Sequence, residues 1–312
     1  MASPFERLAG KALTPRPSFK GRSPAAVALR CGAILSLLAL GGCQELLVLH
    51  PKGVVGEGTS SILTGSFIIM LPIVIPTMLA ALLFGWWYRA SNTRAYYQPS
   101  FVESGKIEIV TWSLPLLTIM LLGSVAWIGS HDLDPAKPLS SDEEALKVQA
   151  VSLDWKWLFI YPDQNVASVN RLVIPAGVPI RFSLTSASVM NAFFVPQLGS
   201  MIYTMNGMAT QLNLNANEAG SFMGLSTMFS GNGFADMHFN TETAPKADFD
   251  AWVNETRDGG GPTLSSQAYK DLSVQSMNVA PFTYSSVEPG LFDKVVTQEL
   301  PPGPGPSTGG GF

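Results

Sequence analysis

Residues Gly220 to Phe239 read GSFMGLSTMFSGNGFADMHF. Ser226 and Ser230 stand four apart, Phe234 follows after another four, and Met237 three later. The spacing is that of a loop built to hold a metal, yet its frame is filled with hydroxyls, a phenyl ring and a thioether. The surroundings of the loop decide what the frame is for.

Those surroundings are rich in β signals. From Leu146 to about Trp252, the runs LKVQAVSLDWKWLFIYP, VNRLVIPAGVPIRFSLTS and ATQLNLNANEAG alternate or are β-branched. Pro-Asp, Pro-Ala-Gly and Asn-Glu-Ala-Gly turn signals break them. Short strands at this spacing predict a Greek-key sandwich or barrel over 146–256. Ala247–Val253 predicts a short closing helix, and RDGGGPT reads as a linker. Residues 264–297 hold enough aromatic side chains to pack against something. The end, LPPGPGPSTGGGF, is a Pro/Gly tail over 298–312 expected to be disordered.

Upstream, the composition changes. The chain has 312 residues, with 46% hydrophobic and only 13% charged. A soluble domain carries about a quarter charged residues, so membrane segments are expected. Ile62–Trp87 contains no charge; as a helix it is about 39 Å long, enough to cross a hydrocarbon core of about 30 Å. Pro72 and Pro76, one turn apart, predict a kink that neighbouring helices can accommodate. A second span is predicted over 107–128, with Trp112 and Trp127 near its ends. Arg89, Arg94 and Lys106 lie between the spans, which places the loop 88–106 in the cytoplasm. Two crossings then put both the region before the first span and everything after the second on the outer face.

The N-terminus reads as a targeting segment over 1–42. Six basic residues and one acid, Glu6, precede Cys43, so the net charge of −4 leaves −9 for the remainder. With no large basic surface available, nucleic acid is excluded as a partner. The apolar run CGAILSLLAL is too short to span a bilayer and ends in Gly41-Gly42-Cys43. Leu40-Gly41-Gly42-Cys43 resembles a bacterial lipobox, which implies lipidation at Cys43 and a mature outer segment over 43–61. Beyond Cys43 there is no thiol, so the mature chain has no thiolate for a metal site.

Two membrane helices before an outer β-barrel resemble subunit II of the haem–copper terminal oxidases, from about Pro51 to Val296. The resemblance implies a cupredoxin-like barrel behind a transmembrane hairpin. Copper-bearing members of the family place a dinuclear copper in this barrel, using a His of a V-x-His-S-x-x-x-P stretch and a loop of form Cys-Ser-Glu-x-Cys-Gly-x-x-His-x-x-Met. Here VMNAFFVPQLG has Asn191 at the first His position. Ser226 and Ser230 stand at the two cysteines, Met228 at the Glu and Phe234 at the second His, while Met237 remains. Hydroxyls ionise far above neutral pH and cannot replace bridging thiolates, and a phenyl ring has no lone pair. The segments VSLDWKWLFIYP, VMNAFFVPQLGSMIY and SNTRAYYQP closely resemble the quinol oxidase branch, cytochrome o type, which takes electrons from ubiquinol and not from soluble cytochrome c.

On that resemblance, the chain carries no cofactor. Haems and one copper belong to the partner subunit I, and the complex oxidises ubiquinol and reduces oxygen in a bacterial inner membrane, with both mature termini periplasmic. Trp155 and Trp157 match a tryptophan-rich patch and are read as structural, with the period of two placing both on one strand face. Glu108, in KIEIVTWSLP, matches the family glutamate at the entrance of a proton path. His50, His131 and His238 are scattered and read as packing or solvent-exposed residues. The alternative is a stand-alone membrane lipoprotein with a degenerate cupredoxin-like binding domain.

Overall fold

The computed structural model describes residues 46–303, apart from 97, 99 and 142, together with residue 305. The targeting segment, Cys43 and the last residues of the tail lie outside these. Two long helices come first: α1, Val54–Trp87, and α2, Gly105–Asp132. Both are long and apolar enough to cross a membrane. Both are longer than the sequence expectation: α1 begins at Val54 rather than Ile62, and α2 runs from Gly105 to Asp132 rather than over 107–128. It runs as one element through Pro72 and Pro76.

The extra turns of α1 exist because they dock on the β domain. Val55 is buried, and the Gly56 N–H donates to the Leu198 carbonyl at 3.0 Å. Lys52 N–H donates to Gln197 O at 2.7 Å, and Asn215 Oδ1 accepts from Val54 N–H at 2.9 Å. That side chain caps a helix whose own N-cap, Gly53, offers no side chain. The approach requires glycine: a Cβ on Gly53 would lie 2.2 Å from the Asn215 carbonyl oxygen, and one on Gly56 would lie 2.7 Å from that of Gln197.

The β domain comprises β1 Leu146–Leu153, β2 Lys156–Tyr161, β3 Val166–Val169, β4 Arg171–Pro175, β5 Ile180–Ser186, β6 Asn191–Phe194, β7 Ile202–Thr204, β8 Thr210–Leu214, β9 Gly220–Ser226 and β10 His238–Ala244. A helix, α3 Lys246–Asp258, follows and extends past the predicted Val253. The C-terminal part holds β11 Thr263–Leu264, α4 Ser266–Ser273, β12 Phe282–Tyr284, β13 Ser286–Val287 and α5 Leu291–Val296. One sheet runs β12-β3-β2-β1-β5-β8 and the other β4-β10-β9-β6-β7. The β1–β5 and β4–β10 pairs are parallel, and the other pairs in these two sheets are antiparallel.

β2 shows why the domain is layered. Trp157, Phe159 and Tyr161 enter the core between the sheets, where Phe193 and Phe239 stack on each other at 5.2 Å. Leu158 and Ile160 point the other way, into a second core. There the C-terminal segment covers the sheet with Leu264, Tyr269, Leu272, Tyr284, Leu291, Phe292 and Val295. A strand buried on both faces reads as a continuous apolar run, as LFIY does.

The start of the tail departs from the expected disorder. Leu300 is buried, and Gly303 N–H donates to the Ala187 carbonyl at 2.9 Å. A buried leucine and a backbone hydrogen bond offset the ordering cost that the proline- and glycine-rich composition alone would not.

Candidate functional site

The loop between β9 and β10 brings most of the singled-out residues together. Ser226 ends β9, where its Oγ–H donates to Asn191 Oδ1 at 3.3 Å. Asn191 opens β6, the neighbouring strand, and Phe193 pairs with Ser226 in register. Ser226 N–H donates to the Met237 carbonyl at 3.1 Å, and Thr227 N–H to the Ala192 carbonyl at 3.2 Å. The loop is therefore closed by its own backbone. Met228 is half-buried, and its carbonyl lies 3.5 Å from Ser226 Oγ.

The other side of the loop rests on Trp155. Its indole N–H donates to the Ser230 carbonyl at 3.0 Å. The indole lies so close to Gly233 that a Cβ there would sit 2.3 Å from Trp155 Cδ2. Phe234 is half-buried and packs edge-on against the exposed Phe229 at 5.5 Å. Met237 is buried in the inter-sheet core.

Trp155 does not lie on a strand with Trp157, as the period-two expectation had it, although both side chains enter the same core. Register pairs Leu153 with Lys156, so Asp154 and Trp155 form the two-residue hairpin turn. Trp155 adopts φ 63°, unusual for a bulky residue, and lies with Trp157 in the inter-sheet core. Trp155 finds a hydrogen-bond acceptor; Trp157 Nε1 has none among the described residues.

The polar residues flanking the tryptophans escaped the sequence reading. Asp154 and Lys156 are 3% and 1% exposed, against the strong preference of charged groups for water. Ser188 Oγ–H donates to Asp154 Oδ1 at 2.5 Å. Lys156 Nζ donates to the Val274 carbonyl at 2.7 Å and to Ser276 Oγ at 2.6 Å. Burial pulls the ammonium down to about 8, although the Asp154 charge opposes this. The turn thus touches the loop before β6, the β9–β10 loop and the C-terminal segment. Two charges inside an otherwise apolar run were the signal available in the sequence.

The donors at this site do not fit a dinuclear copper centre. Asn191, Ser226 and Ser230 offer an amide and two hydroxyls, Phe234 offers none, and Met237 offers one buried thioether. Among the described residues, no three His, Cys, Asp or Glu side chains are grouped to hold a metal ion. His50, His131 and His238 are exposed.

Residues 162–244 match the family described as cytochrome c oxidase subunit II, periplasmic domain, and residues 259–303 match the COX aromatic rich motif. Over 271 residues the chain is 48% identical to ubiquinol oxidase subunit 2 of Acetobacter aceti, covering 86% of this chain and 87% of that protein. The chain belongs to the ubiquinol oxidase subunit 2 family. Cytochrome bo(3) ubiquinol oxidase subunit 2 of Pseudomonas aeruginosa is 44% identical over 271 residues, covering 87% of this chain and 81% of that one. Quinol oxidase subunit 2 of Bacillus anthracis is 36% identical over 252 residues, covering 80% and 86%. The aromatic-rich match in this family coincides with the segment that covers the outer face of the six-stranded sheet.

Glu108 lies apart from the loop, in the first turn of α2. Its N–H donates to the Ser104 carbonyl at 2.9 Å, and its own carbonyl accepts from Thr111 Oγ1 at 3.1 Å. The carboxylate stands on the exposed helix surface.

Proposed function

We propose that the chain is the non-redox subunit II of a proton-pumping ubiquinol oxidase of an aerobic respiratory chain. The observation that carries this is the donor set of the β9–β10 loop and the start of β6: the frame is closed by hydrogen bonds, while Asn191, Ser226, Met228, Ser230 and Phe234 stand where copper ligands are lost. Met237 is kept as a core side chain. Electrons reach the complex from ubiquinol within the membrane, and soluble cytochrome c is not a partner. The haems and one copper belong to subunit I.

In this reading the chain itself moves no electron. Its two helices brace subunit I, and the β domain covers the outer face of the complex. Glu108, at the cytoplasmic end of α2, is the entrance through which protons pass towards a polar path in subunit I. Cys43 is the lipidated N-terminus of the mature protein, and both mature termini are periplasmic in a bacterial inner membrane. Trp155 and Trp157 are structural aromatics.

The test is metal analysis and electron paramagnetic resonance on the full-length chain, purified in detergent and separated from its partner subunits. The expected result is copper well below one per chain and no mixed-valence dithiolate signal. Two tightly bound coppers per chain would overturn the reading.

A further inference from the structure

The segment joining the two helices carries charge that this chain does not answer. That segment and the first turn of α2, residues 88–106, hold Arg89, Arg94 and Lys106 against one acid, Glu103. Among the described residues, the ion pairs involve other side chains. Arg89 is nonetheless held in place. Its guanidinium carbon lies 5.0 Å from the centre of the Trp86 ring. Nε–H donates to Ser91 Oγ at 3.1 Å, and Nη1 donates to the Trp86 carbonyl at 2.9 Å. The other amino group, Nη2, has no hydrogen bond among the described residues.

Exposed rings surround these cations. Trp86, Trp87, Tyr88, Tyr96 and Phe101 are all exposed, and Tyr96 is 78% so. Trp and Tyr prefer a boundary with hydrocarbon on one side and water on the other. A headgroup layer supplies that boundary; an acidic protein surface does not. A guanidinium held on an aromatic face with a free amino group also matches the geometry of a phosphate.

We propose that this loop and the start of α2 bind the phosphate of anionic phospholipids, with Arg89, Arg94 and Lys106 as the cationic contacts. The aromatic rings sit at the acyl boundary beside them. The inference rests on the two-span reading of α1 and α2. Each basic residue at an anionic surface contributes about fivefold in association.

The full-length chain in mild detergent, depleted of lipid, is offered phosphatidylglycerol or phosphatidylcholine of equal chain length, and adducts are counted by native mass spectrometry. Phosphatidylglycerol is expected to bind more tightly. Arg89→Gln, Arg94→Gln and Lys106→Gln should each weaken it about fivefold, with phosphatidylcholine unchanged and helix content retained. Equal binding of the two lipids, or full phosphatidylglycerol binding by the triple variant, overturns the proposal. So does a triple variant that keeps its lipid but no longer co-purifies with partner subunits, because the loop would then hold an acidic protein surface. Separately, Ser100→Cys labelled by an impermeant maleimide from the outside of intact cells would overturn the two-span reading itself.

Discussion

Trp155 donates its indole N–H to the carbonyl oxygen of Ser230, 75 residues away, at 3.0 Å. The bond joins the β1–β2 turn to the β9–β10 loop, and the ring fills the space left by the missing side chain of Gly233. Where a metal would pin such a loop, an indole does so here.

Trp155→Phe keeps an aromatic ring but removes the donor and part of the indole, leaving the Ser230 carbonyl without its partner. The expected loss is about 1–3 kcal/mol, read as a fall of roughly 2–4 °C in melting temperature for each kcal/mol. Faster proteolysis within residues 227–235 should accompany it. An unchanged melting temperature with an intact loop would show that packing alone holds the ring.

Lys156 ties stability to pH with an unusual sign. Its folded-state value, about 8, lies below the ordinary 10.5 because burial disfavours the ammonium. Between these values the unfolded chain binds the extra proton, so stability climbs as pH rises from about 8 to 10.5. Below this window the cost of burying the charge is fully present. Lys156→Met removes the group, so wild-type stability relative to the variant should increase across the window. Denaturant titrations at several pH values check this, and a flat difference would refute it.

Glu288 has the opposite behaviour. Lys294 Nζ at 2.6 Å, Ser266 N–H at 2.5 Å and Ser266 Oγ at 2.9 Å hold its carboxylate down to about 2 from 4.5. The Ser266 contact caps α4 from a distance. Its stabilisation is present above pH 4.5 and lost as pH falls towards 2. Glu288→Gln should raise hydrogen exchange across residues 266–296 at pH 7 and bring the variant close to wild type at pH 2. Equal exchange at pH 7 would count against the cap.

Gly56→Val should separate the helix start from the β domain, since even a Cβ would lie 2.7 Å from the Gln197 carbonyl oxygen. Exchange protection of the Gly56 and Val54 amides should fall, while the sheet core remains protected. Assembly with the partner subunits should drop with it. Normal protection at both amides would show that the contact yields without cost.

How much of this was legible follows from where the information lies. The spans are carried by local hydropathy, so their apolar middles stand out. The first turns of α1 are not: Val54–Ser61 mixes two valines with glycines and polar residues, and only its contacts with Leu198 and Asn215 explain its helix. The β strands were legible through alternation and turn residues, and alternation gave Trp155 its side but not its place in the turn that interrupts the strand at Asp154. The spacing of Ser226, Ser230, Phe234 and Met237 singled out the β9–β10 loop, and the structure closes that loop with the Ser226–Met237 hydrogen bond. The clamp formed by Asp154, Ser188, Lys156 and Ser276 was not legible, because it joins residues far apart in sequence. Leu300 escaped for the same reason: composition describes the tail, and a single buried side chain anchors its start.

Glu108 should influence proton uptake without affecting electron input. It stands in the first turn of α2, next to a loop that water reaches when the helices span the bilayer as proposed. A carboxylate there also gains from the helix dipole, by about 0.3–1 kcal/mol, so stability and proton transfer must be separated. Glu108→Gln keeps size and hydrogen bonding but removes the exchangeable acid. Beyond Glu108 the helix surface is mostly apolar, so a proton leaving it must pass to the partner subunit. Turnover of the assembled oxidase should slow by about five- to thirtyfold, which corresponds to roughly 1–2 kcal/mol in the limiting barrier. Haem content and subunit composition should be retained. Unchanged turnover across pH would leave Glu108 only its dipole role, and loss of the assembled complex would make it a packing residue.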